Sequence, residues 1–229
     1  MSGASTRALA SREGYRLWAP TYDVENPTTV LDEAAIHELT PPLASRALLD
    51  VGCGTGRRLQ AAGAQGPRCA VGIDLVPEMV RRGKHRAPEL RLAVADVRAL
   101  PVGDHRFDVV WCRLVIGHVL ELGGVYDELG RATRPGGCVI VTDFHPAAAR
   151  AGHVRTFRDA QGALHVLQHH VHELPAHRDA AARAGLSFDV GLDLVVGPGV
   201  RAFYEAASML DRYEQQRGLP LVLALRFTG

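Results

Sequence analysis

The stretch Leu48-Leu49-Asp50-Val51-Gly52-Cys53-Gly54-Thr55-Gly56-Arg57 restricts more than any other what this chain can fold into. A short apolar run ends in an acid and then in glycines at every second position. That is the pattern of a buried parallel strand breaking into a tight turn before a helix. Glycine suits such a turn because it tolerates positive φ and has no side chain to hold a ligand away from bare N–H groups. The dinucleotide fingerprint places a third glycine three positions after the second, where helix and strand pack closely. Arg57 stands there instead, which counts against a nicotinamide-dependent oxidoreductase.

The surroundings are those of an ordinary α/β protein: 229 residues, 47% hydrophobic and 22% charged, read as one domain over 1–229. No apolar run approaches the roughly 20 residues of a membrane span, and residues 1–10 have no signal-peptide core, so a cytoplasmic location and no membrane partner are expected. A net charge of +1 without a long basic run gives no electrostatic footprint for nucleic acid. Lys84 is the single lysine among 26 basic residues, so an arginine here says less than usual about a bidentate contact. Cys53, Cys69, Cys112 and Cys138 lack metal-ligand spacing and read as reduced core residues. No metal is expected.

In chain order, residues 2–43 are helical in pattern with a break at Ala19-Pro20-Thr21. Strands follow at 48–51, 69–74, 90–96, 106–112 and 138–143, with helices between them. The second and third strands end in Asp74 and Asp96. A strand-end acid about 20 residues after a glycine turn is placed to accept both hydroxyls of a ribose. Arg113 and His118 leave the carboxyl end of the fourth strand, where open α/β sheets bind ligands. Arg134-Pro135-Gly136-Gly137 reads as a turn, and Asp143-Phe144-His145-Pro146 follows the fifth strand. The histidine-rich segment 147–177 reads as an insertion with a strand pair over 156–172, turning at 159–162. A helix at 176–184, a strand at 186–196, an amphipathic helix at 200–217 and a closing strand at 219–227 complete the chain.

The glycine turn, Asp74, Asp96-Val97 and the helix, Pro-Gly-Gly turn and strand over 125–143 together resemble the class I S-adenosylmethionine (SAM) dependent methyltransferases. Tyr15, Ala19, Tyr22 and Asp23 resemble the Tyr-Asp-x-x-Ala-x-x-Tyr-Asp segment of the small-molecule type, similar to the menaquinone and ubiquinone enzymes, although Arg16 departs from it. The resemblance implies a Rossmann-like seven-stranded sheet with helices on both faces, an N-terminal helical lid over 1–43 and a substrate-covering insertion. It implies SAM as cofactor. The methionyl part would lie on Asp50, Gly52, Cys53, Gly54 and Gly56, the ribose on Asp74 with Leu75 and Met79 beside it, and the adenine on Asp96 and Val97, under Tyr15 and Tyr22. Arg113 would meet the methionyl carboxylate or an anionic acceptor, or is a surface residue.

The implied reaction is methyl transfer to a small acceptor, an aromatic or phenolic metabolite of secondary metabolism, with oxygen or carbon favoured over nitrogen; the missing Asn/Asp-Pro-Pro-Tyr/Phe motif counts against an amino nucleobase. A phenol or enol-like acceptor is served by a base that titrates near neutrality. His118 is the first candidate and His145 the second, with helix bracing as the alternative for His118. The other histidines read as partly exposed loop and strand residues. A protein that binds SAM as a sensor or assembly partner without catalysis is the competing reading, and a monomer or homodimer is expected.

Overall fold

The computed structural model describes residues 8–229. Its first elements are α1 (Ser11–Trp18), a 3-10 turn at Ala19–Thr21 and α2 (Pro27–Leu39). The expected N-terminal helices and their break are therefore present, while positions 1–7 of the expected lid lie outside the described residues. Asn26 and Thr29 cap α2 reciprocally, and Pro27 occupies its first turn, where no N–H is missed.

The alternation then begins: β1 (Ala47–Val51), α3 (Arg57–Gly63), β2 (Cys69–Asp74), α4 (Pro77–Arg86), β3 (Arg91–Val94), β4 (Phe107–Arg113), α5 (Gly123–Ala132) and β5 (Thr133–Phe144). After α6 (Pro146–Arg150) come the hairpin β6 (Thr156–Arg158) and β7 (Leu164–Val166), then α7 (Leu174–Arg183), β8 (Ser187–Val195), α8 (Arg201–Ala206), α9 (Leu210–Gln216) and β9 (Pro220–Thr228). Seven strands form one sheet in the order β3-β2-β1-β4-β5-β9-β8, with β9 antiparallel to both neighbours and β6-β7 a separate pair. This is the Rossmann-like methyltransferase sheet that the sequence implies.

Side chains alternate across each strand. Leu49, Val51, Val110 and Val141 face α5 and α7, whereas Leu48, Val109, Trp111 and Ile140 face α2 and α3. Both faces of the sheet are therefore covered, and the central strands read as continuous apolar runs for that reason. At the sheet edge β8 alternates exposed and half-buried positions.

Three local expectations are corrected. The expected helix at 200–217 is two short helices, α8 and α9, separated at Ser208, whose φ of 55° reverses the chain. An L-residue in that conformation is strained. Ser208→Gly is therefore expected to raise stability by about 0.5–1 kcal/mol, net of glycine's greater unfolded entropy, which urea denaturation would read. The Arg134-to-Gly137 turn lies inside β5, which starts at Thr133 and accommodates Gly136 at φ 75° and a register shift against β4. The hairpin is shorter than expected, with pairing limited to three residues per strand. Asp159 Oδ1 closes its turn by accepting from the N–H groups of Gln161 and Ala163.

The chain beyond β7 is tied to the N-terminus. Leu9 N–H donates to Val166 O (2.8 Å) and Gln168 N–H to Leu9 O (2.8 Å), so Leu9 bridges Leu167 as a parallel pair. Gly14 of α1 packs against Leu167 so closely that a Cβ there would lie 2.1 Å from its Cδ2.

Candidate cofactor and acceptor site

At the carboxyl ends of β1, β2 and β4 a cavity of about 210 Å³ opens, walled by Gly52, Gly54, Asp74, Leu75, Asp96 and Val97 among others. Tyr15, Tyr22, Arg113 and His118 also line it. A smaller hollow of about 60 Å³ adjoins it under the glycine turn, with Asp50, Cys53 and Arg113 in its wall. The elements that the sequence spread over a hundred residues thus meet at one end of the sheet.

The turn has the conformation that its glycines suggest. Gly52, Gly54 and Gly56 have φ of 75°, 58° and 68°. A Cβ on Gly52 would sit 2.0 Å from Val115 Cγ2, and one on Gly54 2.8 Å from Tyr22 Cε1. Gly56 precedes α3 and packs against Leu92 rather than on the cavity wall. Asp74 holds the turn in place: Oδ2 accepts from Gly54 N–H (2.8 Å) and Oδ1 from Val76 N–H (2.8 Å). Burial raises its pKa against the pull of those two bonds.

Under the turn two polar atoms lack partners. Asp50 Oδ1 and Arg113 Nη1 are both buried without a hydrogen bond. Burial pushes the Asp50 carboxyl up to about 7, with Arg113 opposing the shift. The rest of the Arg113 guanidinium is engaged: Nη2 and Nε bind Asp32 at 2.5 and 3.1 Å, and Nη2 also reaches Glu33 at 2.7 Å. Arg113 is 8% exposed, so the surface reading is corrected. It is a buried anchor between β4 and α2 with one N–H edge left over.

Asp96 is gripped by Arg98, which donates from its backbone N–H (2.9 Å), Nε (2.9 Å) and Nη2 (2.6 Å). The Arg98 contact lowers its pKa. Met79 packs with Ala19 and Val76 behind the wall. Cys53 is buried with its Sγ 3.7 Å from Gly54 O, and burial drives its thiol pKa well up.

The two candidate histidines part company. His118 Nδ1 faces Gln168 O at 3.2 Å, which requires the proton on Nδ1, so Nε2 accepts from Tyr15 Oη at 2.8 Å. Burial, reinforced by Arg155, holds its pKa well below the usual 6.5, and the ring is neutral. His145, in contrast, caps α6. Its Nδ1 accepts from Ala147 N–H (3.0 Å), and Nε2 donates to Asp193 Oδ1 (3.2 Å). Both nitrogens are thus committed to bracing the end of β5. The histidines of the segment 147–177 are not uniformly exposed either: His177 is fully buried, bonded through Nδ1 to Tyr126 Oη at 2.9 Å, and burial lowers its pKa to about 4. Among the described residues no group of three His, Cys, Asp or Glu side chains could hold a metal ion.

A second, larger cavity of about 470 Å³ lies beside the first and shares Tyr22 and Leu114 with it. Trp18, Phe144, Phe203 and Tyr204 give it an aromatic wall, and Arg155 and Arg212 give it cations. Arg155 donates to Leu114 O (3.0 Å) and Tyr15 Oη (3.2 Å). Sequence reasoning passed over Arg155 and Arg212 because nothing in a chain rich in arginine marks two of them out.

A model of the methyltransferase domain matches residues 49–141. The malonyl-[acyl-carrier protein] O-methyltransferase of Pseudescherichia vulneris is 32% identical over 149 residues, covering 62% of this chain and 55% of that protein. The demethylmenaquinone methyltransferase of Renibacterium salmoninarum is 30% identical over 139 residues, 56% of each. The chain thus spans a little over half the length of these two relatives. Among solved structures, an S-adenosylmethionine dependent methyltransferase from Mesorhizobium loti superposes with a TM-score of 0.68 at 20% identity, covering 87% of this chain and 98% of that one, and shares the fold.

Proposed function

We propose that this chain, whose residues 49–141 match the methyltransferase domain, is a class I methyltransferase that transfers a methyl group from S-adenosylmethionine to a small acceptor held in the second cavity. The observation that carries this reading is the complementary pair of orphans under the glycine turn. Asp50 Oδ1 is an acceptor without a donor, and Arg113 Nη1 a donor without an acceptor. An α-amino acid tail supplies an ammonium for the first and a carboxylate for the second. The residues present therefore fit this cofactor. Asp74 would take the ribose hydroxyls with its remaining lone pairs, and Asp96 with Val97 N–H the adenine edge.

When bound, the sulfonium supplies an activated methyl group, so the protein's task is alignment and a path for the acceptor's proton. Tyr15 and His118 suit that path. A hydroxyl acceptor beside Tyr15 Oη can give its proton to the phenol oxygen as the phenol proton passes to His118 Nε2, with Nδ1–H held on Gln168 O. His145 takes no part. An aromatic or phenolic acceptor fits the aromatic wall of the second cavity, and the names of the two relatives carry acceptors of different kinds.

The test is incubation with methyl-labelled SAM and a panel of phenolic and enolic metabolites, with label recovered in a low-mass product. Tight cofactor binding with no labelled product across the panel would favour the sensor reading instead. If the relay operates, Tyr15→Phe and His118→Gln each lower kcat about tenfold, and the double variant falls no further than either single one, because both serve one proton path. Independent, multiplied losses in steady-state kinetics would contradict it.

A further inference from the structure

We infer that the second cavity selects acceptors that carry, next to the hydroxyl to be methylated, an oxyanion such as a carboxylate on an apolar body, and that Arg155 binds that oxyanion at the end of the cavity nearest the cofactor. The inference rests on the methyltransferase reading and adds to it the charge of the substrate.

Three observations carry it. First, Arg155 has no acidic partner among the described residues. Its two hydrogen bonds go to a peptide oxygen and a phenol oxygen, both uncharged. A guanidinium has five N–H donors, and most arginines in this structure spend theirs on carboxylates: Arg58, Arg68, Arg98, Arg113 and Arg131 each pair with one. A half-buried cation supplied only with neutral acceptors retains the capacity to bind an anion.

Second, its position is at the passage between the cavities. The two groups that fix it, Leu114 and Tyr15, both line the cofactor cavity, whereas Arg155 itself lines the larger one. A group bound on Arg155 would therefore stand beside the Tyr15 hydroxyl.

Third, the acid in the wall of this cavity is already paired. Glu25 is the one carboxylate in the wall of this cavity, and it is engaged by Arg57 at 3.3 Å and Arg58 at 3.9 Å. Arg212 adds a second positive charge. An ammonium acceptor would be repelled by this wall, and an uncharged one would leave Arg155 unsatisfied. An oxyanion with a flat apolar body meets both the cation and the aromatic surface of Trp18, Phe144 and Tyr204.

Trp18 provides the readout. The chain has two tryptophans; Trp111 is 3% exposed in the core, with its indole N–H on Thr40 Oγ1, so a quencher in the cavity reports through Trp18. In the presence of saturating S-adenosylhomocysteine, 4-nitrobenzoate is expected to quench with an affinity at least about tenfold higher than 4-nitrobenzamide or 4-nitrobenzylammonium, the typical gain of a charge-assisted hydrogen bond over a neutral one. Arg155→Gln should equalise the three probes, and Arg155→Lys should keep most of the preference. Equal affinities in the wild type, a preference for the ammonium, or an anion preference untouched by Arg155→Gln would overturn the inference. Should Arg155→Gln fail to fold, the exposed Arg212→Gln decides. A preference retained there leaves Arg155 as its source, and a preference lost there assigns the anion to Arg212 and refutes it. Calorimetry separates the two layers of argument: a wild type that does not bind S-adenosylhomocysteine removes the methyltransferase reading, while one that binds it without an anion preference removes only this inference.

Discussion

Asp74→Ala is expected to weaken S-adenosylhomocysteine binding about 10³-fold. Two losses combine. On the proposed assignment the carboxylate would no longer take the ribose hydroxyls, and it would no longer hold Gly54 N–H and Val76 N–H, the two contacts that set the turn over the end of β2. Hydrogen bonds to a charged group contribute about 1.5–3 kcal/mol each, so two of them account for a factor of that size. Asp74→Asn separates the contributions, since an amide offers one acceptor oxygen and must turn a donor toward one of the two backbone N–H groups. Titration calorimetry on both variants is the measurement. Alanine binding within a few-fold of wild type would mean that the ligand does not reach the tip of β2.

Asp32→Ala is expected to cost about 3–5 kcal/mol of stability, the range for breaking a buried ion pair by removing one partner. Asp32 is 3% exposed. It accepts from Arg113 through Oδ2 and from Thr142 Oγ1 through Oδ1 at 2.6 Å, and so joins α2 to both β4 and β5. Without it, Arg113 keeps Glu33, which is 45% exposed at its side chain and solvent-screened. The same substitution should loosen the cofactor tail site, since Arg113 Nη1 is aimed by the contacts on the other edge of the guanidinium. Urea denaturation gives the first effect and calorimetry the second. A loss of stability under about 1 kcal/mol would show that Glu33 alone suffices.

The glycine turn, the strand-end acids and the order of strands were legible because each is written locally: an apolar run, a glycine at a set interval, an acid at the tip. The fate of Arg113 was not. Its partner Asp32 lies 81 residues away in sequence, on a helix whose packing face no short window reveals. The capping role of His145 was not legible for a related reason. Its place after β5 is the right one for a base, but the residue that follows is Pro146, and a side chain before a helix-opening proline is well placed to cap. The break at Ser208 lacked any glycine or proline to announce it, and the apolar spacing ran through it undisturbed. The second cavity is built from α1, α2, residues 153–156 and the segment 203–216, so its chemistry emerges only when those pieces are side by side.

The main-chain clasp between Leu9 and Leu167 ties α1 to the segment that follows β7. Helix α1 brings Tyr15 to one compartment and Trp18 to the other, and Arg155, a dozen residues before the clasp, is bonded to Tyr15 as well. An outward displacement of α1 would therefore pull on the walls of both cavities at once.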